Sequence, residues 1–566
     1  MDFPTLLFIS LCVATSPRAA SSDYSFPDEF IFGAGTSAYQ TEGAPGELKC
    51  DNIWDFAIEN NASIIQNSSD AKTADQSFLY NYYSEDIDYM AKMHIDHFRM
   101  SIPWPRLFAD GLHTSDAEIE HTMQHYAQQF QLLKTKKINT IVTLYHWDLP
   151  QLIQDWGGWT NASNIDLFVN YTDNVFQYLS GTDYIDYLLT FNEPKQICVS
   201  GYGDGSLAPF LSHSGVLDYQ CVKNVLKAHA AVYRLYQKNY ADDFKCKISI
   251  ALDGSWSEPK TSSEADQAAA KRRLDFEFGL YAEPLLTGDW PREVVERVKE
   301  RSAKEKLPES RLPAFTEEEK RLLKGSVDFL ALNYFDTRVV ADAPEGPSDR
   351  SSYHSDVRVE ATREASWKED AAGNAVEPTG IRKFLNYMKR EYGDREILIT
   401  GNGFADDGVA DDKERIRYLW EYLWNVAAAI NEDGVKVFGY IYWSLIDGFE
   451  WTKGYGPHYG LLSVDSTLGR HSKSSADYYG QLIKERKVSN PYPTSSTSTT
   501  TETSTTTGSS TSTETSTTTG SSTSTETSTS TGSSTSTESP NSKGNIKFIS
   551  FELLFVIVLL PLLKLF

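Results

Sequence analysis

Between Phe26 and about Asn490, short apolar runs rich in β-branched residues alternate with longer stretches whose apolar positions recur at helical spacing. That alternation is the pattern of β-α units around a parallel sheet. Eight runs read as strands: Phe30–Ala34, His97–Ile102, Thr140–Tyr145, Tyr187–Phe191, Lys247–Leu252, Asp328–Tyr334, Glu396–Thr400 and Val437–Trp443. Between them the spacing predicts helices over Ser84–Met93, His121–Lys134, Val222–Tyr240, Thr316–Lys324, Gly380–Tyr392 and Lys413–Ala429, with Leu419, Leu423 and Val426 on one face of the last. Eight strands are what a closed barrel needs, and a large α/β barrel can absorb most of a 566-residue chain as one domain. An open doubly wound sheet would instead carry a Gly-rich phosphate loop after an early strand. Gly33-Ala34-Gly35 lacks the third glycine and any helical pattern behind it. The fold expected is a single (β/α)8 TIM barrel over residues 21–490.

Outside the barrel the pattern changes character. Leu6 to Ala14 is an apolar run too short to span a bilayer and followed by small residues, which reads as a secretory signal over residues 1–20. After Pro493 the chain is almost entirely Ser, Thr and Gly, with Glu502, Glu514, Glu526 and Glu538 at regular intervals. Such a tract buries too little apolar surface to fold, and residues 491–540 read as a disordered, O-glycosylated stalk. Residues 541–566 offer small residues, a spacer and the apolar run Leu553–Leu563, too short to cross a hydrocarbon core of roughly 30 Å. Together these describe a lipid-anchor (GPI-type) attachment signal, and place the protein at the extracellular face of the membrane.

Charge and composition narrow the partners. With 53 basic against 78 acidic residues the net charge is −25, which argues against nucleic acid. Aromatic content of 13% suits a ring-lined cleft as well as a core. Cys50, Cys198, Cys221 and Cys246 permit disulfides without dictating a pairing, and form no metal motif. No metal or cofactor is expected, and the sequence names no protein partner. Sequons at Asn61, Asn67, Asn161 and Asn170 agree with secretion.

In such a barrel, function sits where strands run out into loops. Gln40 follows the first strand, Arg99 lies in the second, and the third ends in Tyr145-His146-Trp147-Asp148. The fourth ends in Asn192-Glu193-Pro194, the sixth in Asn333-Tyr334, and the eighth in Trp443, with Glu450-Trp451 in the loop beyond. Singly each has a plainer reading, since a lone tryptophan is more often core and Asn-Glu-Pro is a common loop. Gathered at one rim they suit a polyhydroxylated ring: amides and carboxylates bond hydroxyls, and aromatic faces cover the C–H surface. The seventh strand stops at Gly401-Asn402-Gly403, which on spacing alone is a tight turn.

Six longer motifs go further: Phe26–Ala44 (FPDEFIFGAGTSAYQTEGA), Val142–Pro150 (VTLYHWDLP), Thr190–Pro194 (TFNEP), Asp328–Phe335 (DFLALNYF), Ile399–Phe404 (ITGNGF) and Trp443–Trp451 (WSLIDGFEW). In these the chain resembles the family 1 glycoside hydrolases, the group of retaining β-glucosidases, lactase and myrosinase, over roughly Phe26 to Leu482. The resemblance implies an eight-stranded β/α barrel and assigns roles. Glu193 matches the acid/base, with Asn192 beside it on the sugar's 2-hydroxyl. Gln40, His146, Trp147, Glu450 and Trp451 match the binding set for the non-reducing sugar, and Trp443 the platform beneath it. Asn333 is grouped with the substrate-binding residues, and Arg99 and Tyr334 match residues that hydrogen-bond the nucleophile. Glu450 would suit an uncharged β-linked glucoside, galactoside or fucoside and repel a phosphorylated sugar.

The departure is at the nucleophile. The family's I-T-E-N-G motif reads Ile399-Thr400-Gly401-Asn402-Gly403 here, so the attacking glutamate is replaced by Gly401. Retaining hydrolysis needs two carboxyl groups about 5 Å apart, one protonating the leaving oxygen and one attacking the anomeric carbon. The expectation is a β-glucosidase-like protein that keeps its sugar site but hydrolyses poorly, with a small void at Gly401. A water or an anion attracted by Arg99 could enter that void. Two alternatives remain at this level: an active hydrolase or transglycosylase with a surrogate nucleophile such as Asp406 or Asp407, and a non-catalytic cell-surface sugar receptor.

Overall fold

The computed structural model describes residues 23–43, 49–68, 79–112, 115–344 and 351–491. The signal, stalk and anchor expected from the sequence lie outside these residues. Among the described residues no helix is long and apolar enough to cross a membrane.

The β-branched runs bury both faces, as strands of a helix-covered parallel sheet must. They form β1 (Ile31–Gly35), β2 (His97–Ser101), β3 (Asn139–Tyr145), β4 (Ile185–Asn192), β5 (Lys247–Pro259), β6 (Leu330–Asp342), β7 (Ile397–Asn402) and β8 (Val437–Trp443). Each pairs in parallel with the next, and β8 with β1, so the eight strands close into a ring. Helices on the outside include α1 (Leu79–Lys92), α2 (Asp116–Thr135), α3 (Asn164–Leu179), α4 (Leu217–Asn239), α5 (Glu264–Leu274), α6 (Thr379–Tyr392), α7 (Lys413–Asn431) and α8 (Ser474–Glu485).

Inside the ring the composition changes with height. Ile141, Leu189, Ala251, Phe329, Ala331, Leu398 and Ile441 form a small apolar cluster. Two or three residues further along β4, β6 and β7 stand Asn192, Asn333 and Thr400, which with Arg99 of β2 are buried and joined in one hydrogen-bond network. An apolar plug thus supports a polar floor at the end where the strands run out into loops.

Two departures from the expected strands bear on the site. β5 and β6 continue well past Leu252 and Tyr334 and stay paired up to Pro259 and Val340, and Val359–Thr362 pairs antiparallel with the end of β6, so that the extension forms a wall at the barrel mouth. In β7 the pairing with β6 slips between Ile399 and Gly401, so that Gly401 rather than Thr400 stands opposite Asn333. Such a bulge re-aims a position that simple alternation would turn outward.

Cys198 and Cys221 form a disulfide joining the turn after β4 to α4, while Cys50 and Cys246 are unbonded. Of the sequons, Asn61, Asn67 and Asn170 are exposed, and Asn161 is half-buried with its amide donating to the Trp156 carbonyl.

Candidate active site

A cavity of about 320 Å³ opens at the barrel mouth, and its lining includes Gln40, Arg99, His146, Trp147, Asn192, Glu193, Asn333, Trp443, Glu450 and Trp451. Ten residues named from the sequence therefore converge on one space. Tyr39 stacks on Trp451 at 5.7 Å between centroids, and Trp147 meets Trp451 at 4.6 Å, forming a continuous aromatic wall. His146 lies parallel to Trp443 at 5.6 Å. Trp147, Glu193 and Trp451 all hold left-handed backbone angles, with φ of 74°, 52° and 54°. Each costs on the order of 1 kcal/mol for a non-glycine residue, and such strain is retained where side chains must be aimed.

Arg99 organises the floor. It is fully buried; its guanidinium donates to the Thr400 carbonyl at 2.6 Å, Asn192 Oδ1 at 2.6 Å, and Asn333 Oδ1 and Thr143 Oγ1 at 3.3 Å each. Every one of these acceptors is neutral. Burial therefore pulls its pKa down to about 10, with Glu193 the charge that opposes the shift. Because Arg99 fixes Asn192 Oδ1 as an acceptor, the Asn192 amide nitrogen faces His146 Nε2 at 3.2 Å, which assigns the proton of the neutral imidazole to Nδ1. Burial, with the nearby Arg99, keeps His146 uncharged.

Asn333 bridges the two halves of the floor. Its Nδ2 donates to Glu193 Oε1 at 2.7 Å and Asn192 Oδ1 at 2.9 Å, and its Oδ1 accepts from Thr400 Oγ1 at 2.7 Å and from Arg99. All four hydrogen-bonding positions of the amide are used, so Asn333 braces the site more than it offers contacts to a sugar. It also fills the space expected to be empty. A Cβ built on Gly401 would lie 2.9 Å from Asn333 Oδ1 and 3.1 Å from its Cγ, so the void beside Gly401 is occupied by this amide.

Tyr334 is not where the sequence placed it. Strand alternation turns it outward, against Phe384 of α6, with its hydroxyl 2.8 Å from Thr337 Oγ1. The ring that faces the cavity is the next one, Phe335, which has no hydroxyl to offer a nucleophile.

The carboxyl groups are tuned upward. Burial, then the negative charge of Asp253, raises Glu193 to about 7, partly offset by Asn333, Arg99 and Lys195. A carboxyl poised there can donate a proton near neutrality. Burial and Asp447 lift Glu450 to about 8, against the hydrogen bond from Gln40. At neutral pH Glu450 is thus mostly uncharged, and the repulsion of a phosphorylated ring expected from it acts fully only in alkaline solution.

This tuning has a stability consequence. A carboxyl whose pKa is raised on folding stabilises the fold below its unfolded value and loses that contribution as pH rises through the folded value. For Glu193 the window runs from 4.5 to about 7. Glu193→Gln is therefore expected to gain on the order of 2 kcal/mol over the native chain between pH 5 and pH 8. Denaturant titrations at the two pH values measure this, and a difference that does not change with pH refutes the assignment.

The other half of the cavity escaped the sequence reading. Lys195, Gln196, Asp253, Ser255, Phe335, Asp336 and Asn374 line it, with Arg273 reaching in from α5. Asp253 directly follows the fifth predicted strand, so the rule applied to the other strands would have found it. Nothing in the sequence pattern marks Arg273. Among the described residues no group of three or more His, Cys, Asp or Glu side chains is arranged to hold a metal.

Comparison with known proteins agrees with this geometry. Residues 22–488 match the model of Glycosyl hydrolase family 1. The chain is 36% identical over 462 residues to Myrosinase 1 of Brevicoryne brassicae, covering 81% of this chain and 97% of that protein. It is 37% identical over 480 residues to Beta-glucosidase 42 of Arabidopsis thaliana, covering 81% and 94%. The solved structure of an aphid myrosinase superposes with a TM-score of 0.76 at 35% identity, covering 81% of this chain and 99% of that one. The eight-stranded ring, the carboxyl-bearing aromatic cavity at its mouth and these matches together identify the chain as a member of glycosyl hydrolase family 1.

Proposed function

We propose that this protein binds β-glycosides in the barrel-mouth cavity and hydrolyses them poorly, because Gly401 stands where the family's retaining mechanism needs a nucleophilic carboxylate. The observation that carries this reading is the neutrality of the wall around Gly401: the Asn333 amide fills it and Arg99 meets only neutral acceptors. Glu193 can still protonate a leaving oxygen, but a double displacement does not run without a covalent partner. A water or small anion that is to take the position beside Gly401 meets the Asn333 amide there.

The surrogate-nucleophile reading has little support. Asp406 is tied to Arg415 and paired through its backbone with His458, and Asp407 is exposed. Neither lines the cavity. The reading as a sugar receptor differs from ours only in the physiological use of the same site. Exposed sequons and the Cys198–Cys221 disulfide support a location outside the cell, held there by the C-terminal anchor signal.

Calorimetric titration with methyl β-glucoside, galactoside and fucoside, beside initial rates on an aryl β-glucoside, tests the proposal. Binding of at least one glycoside with hydrolysis near background is expected, and Trp443→Ala should weaken that binding roughly tenfold. Turnover by the native chain at ordinary enzyme rates would overturn it.

A further inference from the structure

Of the twelve tryptophans, all among the described residues, Trp156 is the one that is exposed, with 46% of its surface open, while Trp159 three residues on is buried. The turn between them explains the contrast. The short helix Gln151–Asp155 ends at Trp156, and Gly157 and Gly158 both hold left-handed angles, with φ of 96° and 52°, which glycine adopts without strain. A Cβ built on Gly157 would lie 3.2 Å from the Cβ of Asn161. The two glycines therefore fold the chain back until Asn161 lies against Trp156.

Asn161 is held there in one orientation. Its Nδ2 donates to the Trp156 carbonyl at 2.8 Å, and its Oδ1 accepts from the Ser163 backbone amide at 3.0 Å. An amide nitrogen carries two hydrogens, so one remains uncommitted. Asn161-Ala162-Ser163 is an acceptor sequence for N-glycosylation, and Ala162 and Ser163 are exposed. A lone exposed tryptophan needs no explanation. One with a glycan acceptor fixed to its own carbonyl has a covering group at hand, because the C–H face of a sugar packs on an indole and takes both surfaces out of water. A related arrangement occurs at Phe56, which is exposed and stands five residues before Asn61, whose Oδ1 accepts from the Ser63 amide at 3.2 Å. There the bond to the aromatic residue's carbonyl comes from Asn60, so Asn61 is not tied to the ring's residue as Asn161 is.

We propose that Asn161 carries an N-linked glycan whose first sugar packs on the Trp156 indole, forming a carbohydrate clasp over the glycine turn between β3 and α3. In its attachment the Nδ2–C1 bond forms as the bond from C1 to the pyrophosphate of a lipid-linked oligosaccharide donor breaks; Nδ2 gives up one proton and the lipid pyrophosphate leaves. The remaining N–H keeps the bond to the Trp156 carbonyl. The clasp rests on the extracellular location proposed above, since such a donor is met on the secretory route, and it is independent of what the barrel-mouth cavity binds.

The experiment uses the full-length protein secreted from eukaryotic cells. Glycopeptide mass spectrometry reads occupancy at each sequon, and hydroxyl-radical footprinting reads the oxidation rate of Trp156, with the half-buried Trp367 as internal reference. Ser163→Ala removes the acceptor sequence but keeps the Asn161 amide and both of its hydrogen bonds, since the Ser163 donor is backbone. Asn161 should be occupied in the native protein, and Ser163→Ala should raise Trp156 oxidation by about threefold or more while Trp367 stays unchanged. Enzymatic trimming of the folded native protein to one sugar per site should preserve the protection and complete removal should abolish it, so the result does not depend on the variant folding. An unmodified Asn161 in a chain glycosylated at Asn61, Asn67 or Asn170, or equal oxidation of Trp156 with and without the glycan, overturns the clasp and leaves the extracellular reading standing. Absence of glycan from all four sequons overturns that reading and the clasp together.

Discussion

Gly401→Glu is expected to raise kcat/KM on an aryl β-glucoside by about four orders of magnitude, since removing one member of a cooperating catalytic set costs on the order of 10⁴ to 10⁶ in rate. The bulge in β7 sets position 401 opposite Asn333 of the cavity floor, where Arg99 and Glu193 are already in place. The new Cβ meets the Asn333 amide, with Oδ1 at 2.9 Å and Cγ at 3.1 Å. This amide ends a side chain that can rotate, and the contact is relieved by moving it. The groups now bound to it, Arg99 and Thr400 Oγ1, become free to hold the new carboxylate. Arg99 then acquires a charged partner, and a buried guanidinium with only neutral acceptors becomes a buried ion pair, which offsets the cost of burying a second charge. Phe335 cannot add a hydroxyl to that carboxylate, so the gain should fall short of a fully furnished family member. A hydrolytic rate near that of the native chain, in a variant that still binds methyl β-glucoside, would overturn the assignment of position 401 as the site of the proposed deficit.

The barrel was legible because its signal is repeated. Eight apolar runs each lie within a few residues of an observed strand, and the largest errors are where β5 and β6 continue beyond them. There Asp253, Ser255, Asp336 and Arg338 interrupt the apolar pattern, because this part of the two strands serves the cavity and not the core. Helix α3 was missed although Phe168, Tyr171, Val175 and Phe176 recur along it at helical spacing and are buried. The site divides in the same way. Residues embedded in long motifs converge on the cavity, whereas Tyr334 faces away from it, because alternation along β6 puts Asn333 and Phe335 on the cavity side. That position 401 carries no side chain could be read from the sequence. That an amide from the adjacent strand would occupy its space could not, since this depends on the bulge and on four hydrogen bonds made by residues far apart in the chain.

Arg415→Met is expected to destabilise the fold by about 3–5 kcal/mol, the range for removing one partner of a buried ionic cluster. Arg415 is fully buried near the start of α7. Its Nε donates to Asp412 Oδ2 at 2.7 Å, and its other nitrogens reach Asp406, the carbonyls of Phe404, His458 and Tyr459, and the Tyr442 hydroxyl. One guanidinium therefore ties the segment after Gly401 to the segment containing Tyr459, a residue of the cavity wall. Methionine matches much of the volume but supplies no donor, leaving two carboxylates and several carbonyls without their partner. Lys473, 3.9 Å from Asp406, is placed to recover only a small part of this. Arg415→Lys restores the charge without the planar set of donors and should recover less than half of the loss. Denaturant unfolding of the two variants beside the native chain measures both quantities. A loss under 1 kcal/mol for Arg415→Met would mean that the segment beyond Gly401 is held by its other contacts. Asp406 would then be free enough to return as a candidate nucleophile, so the stability of this one arginine variant bears directly on the proposal that the native protein hydrolyses β-glycosides poorly.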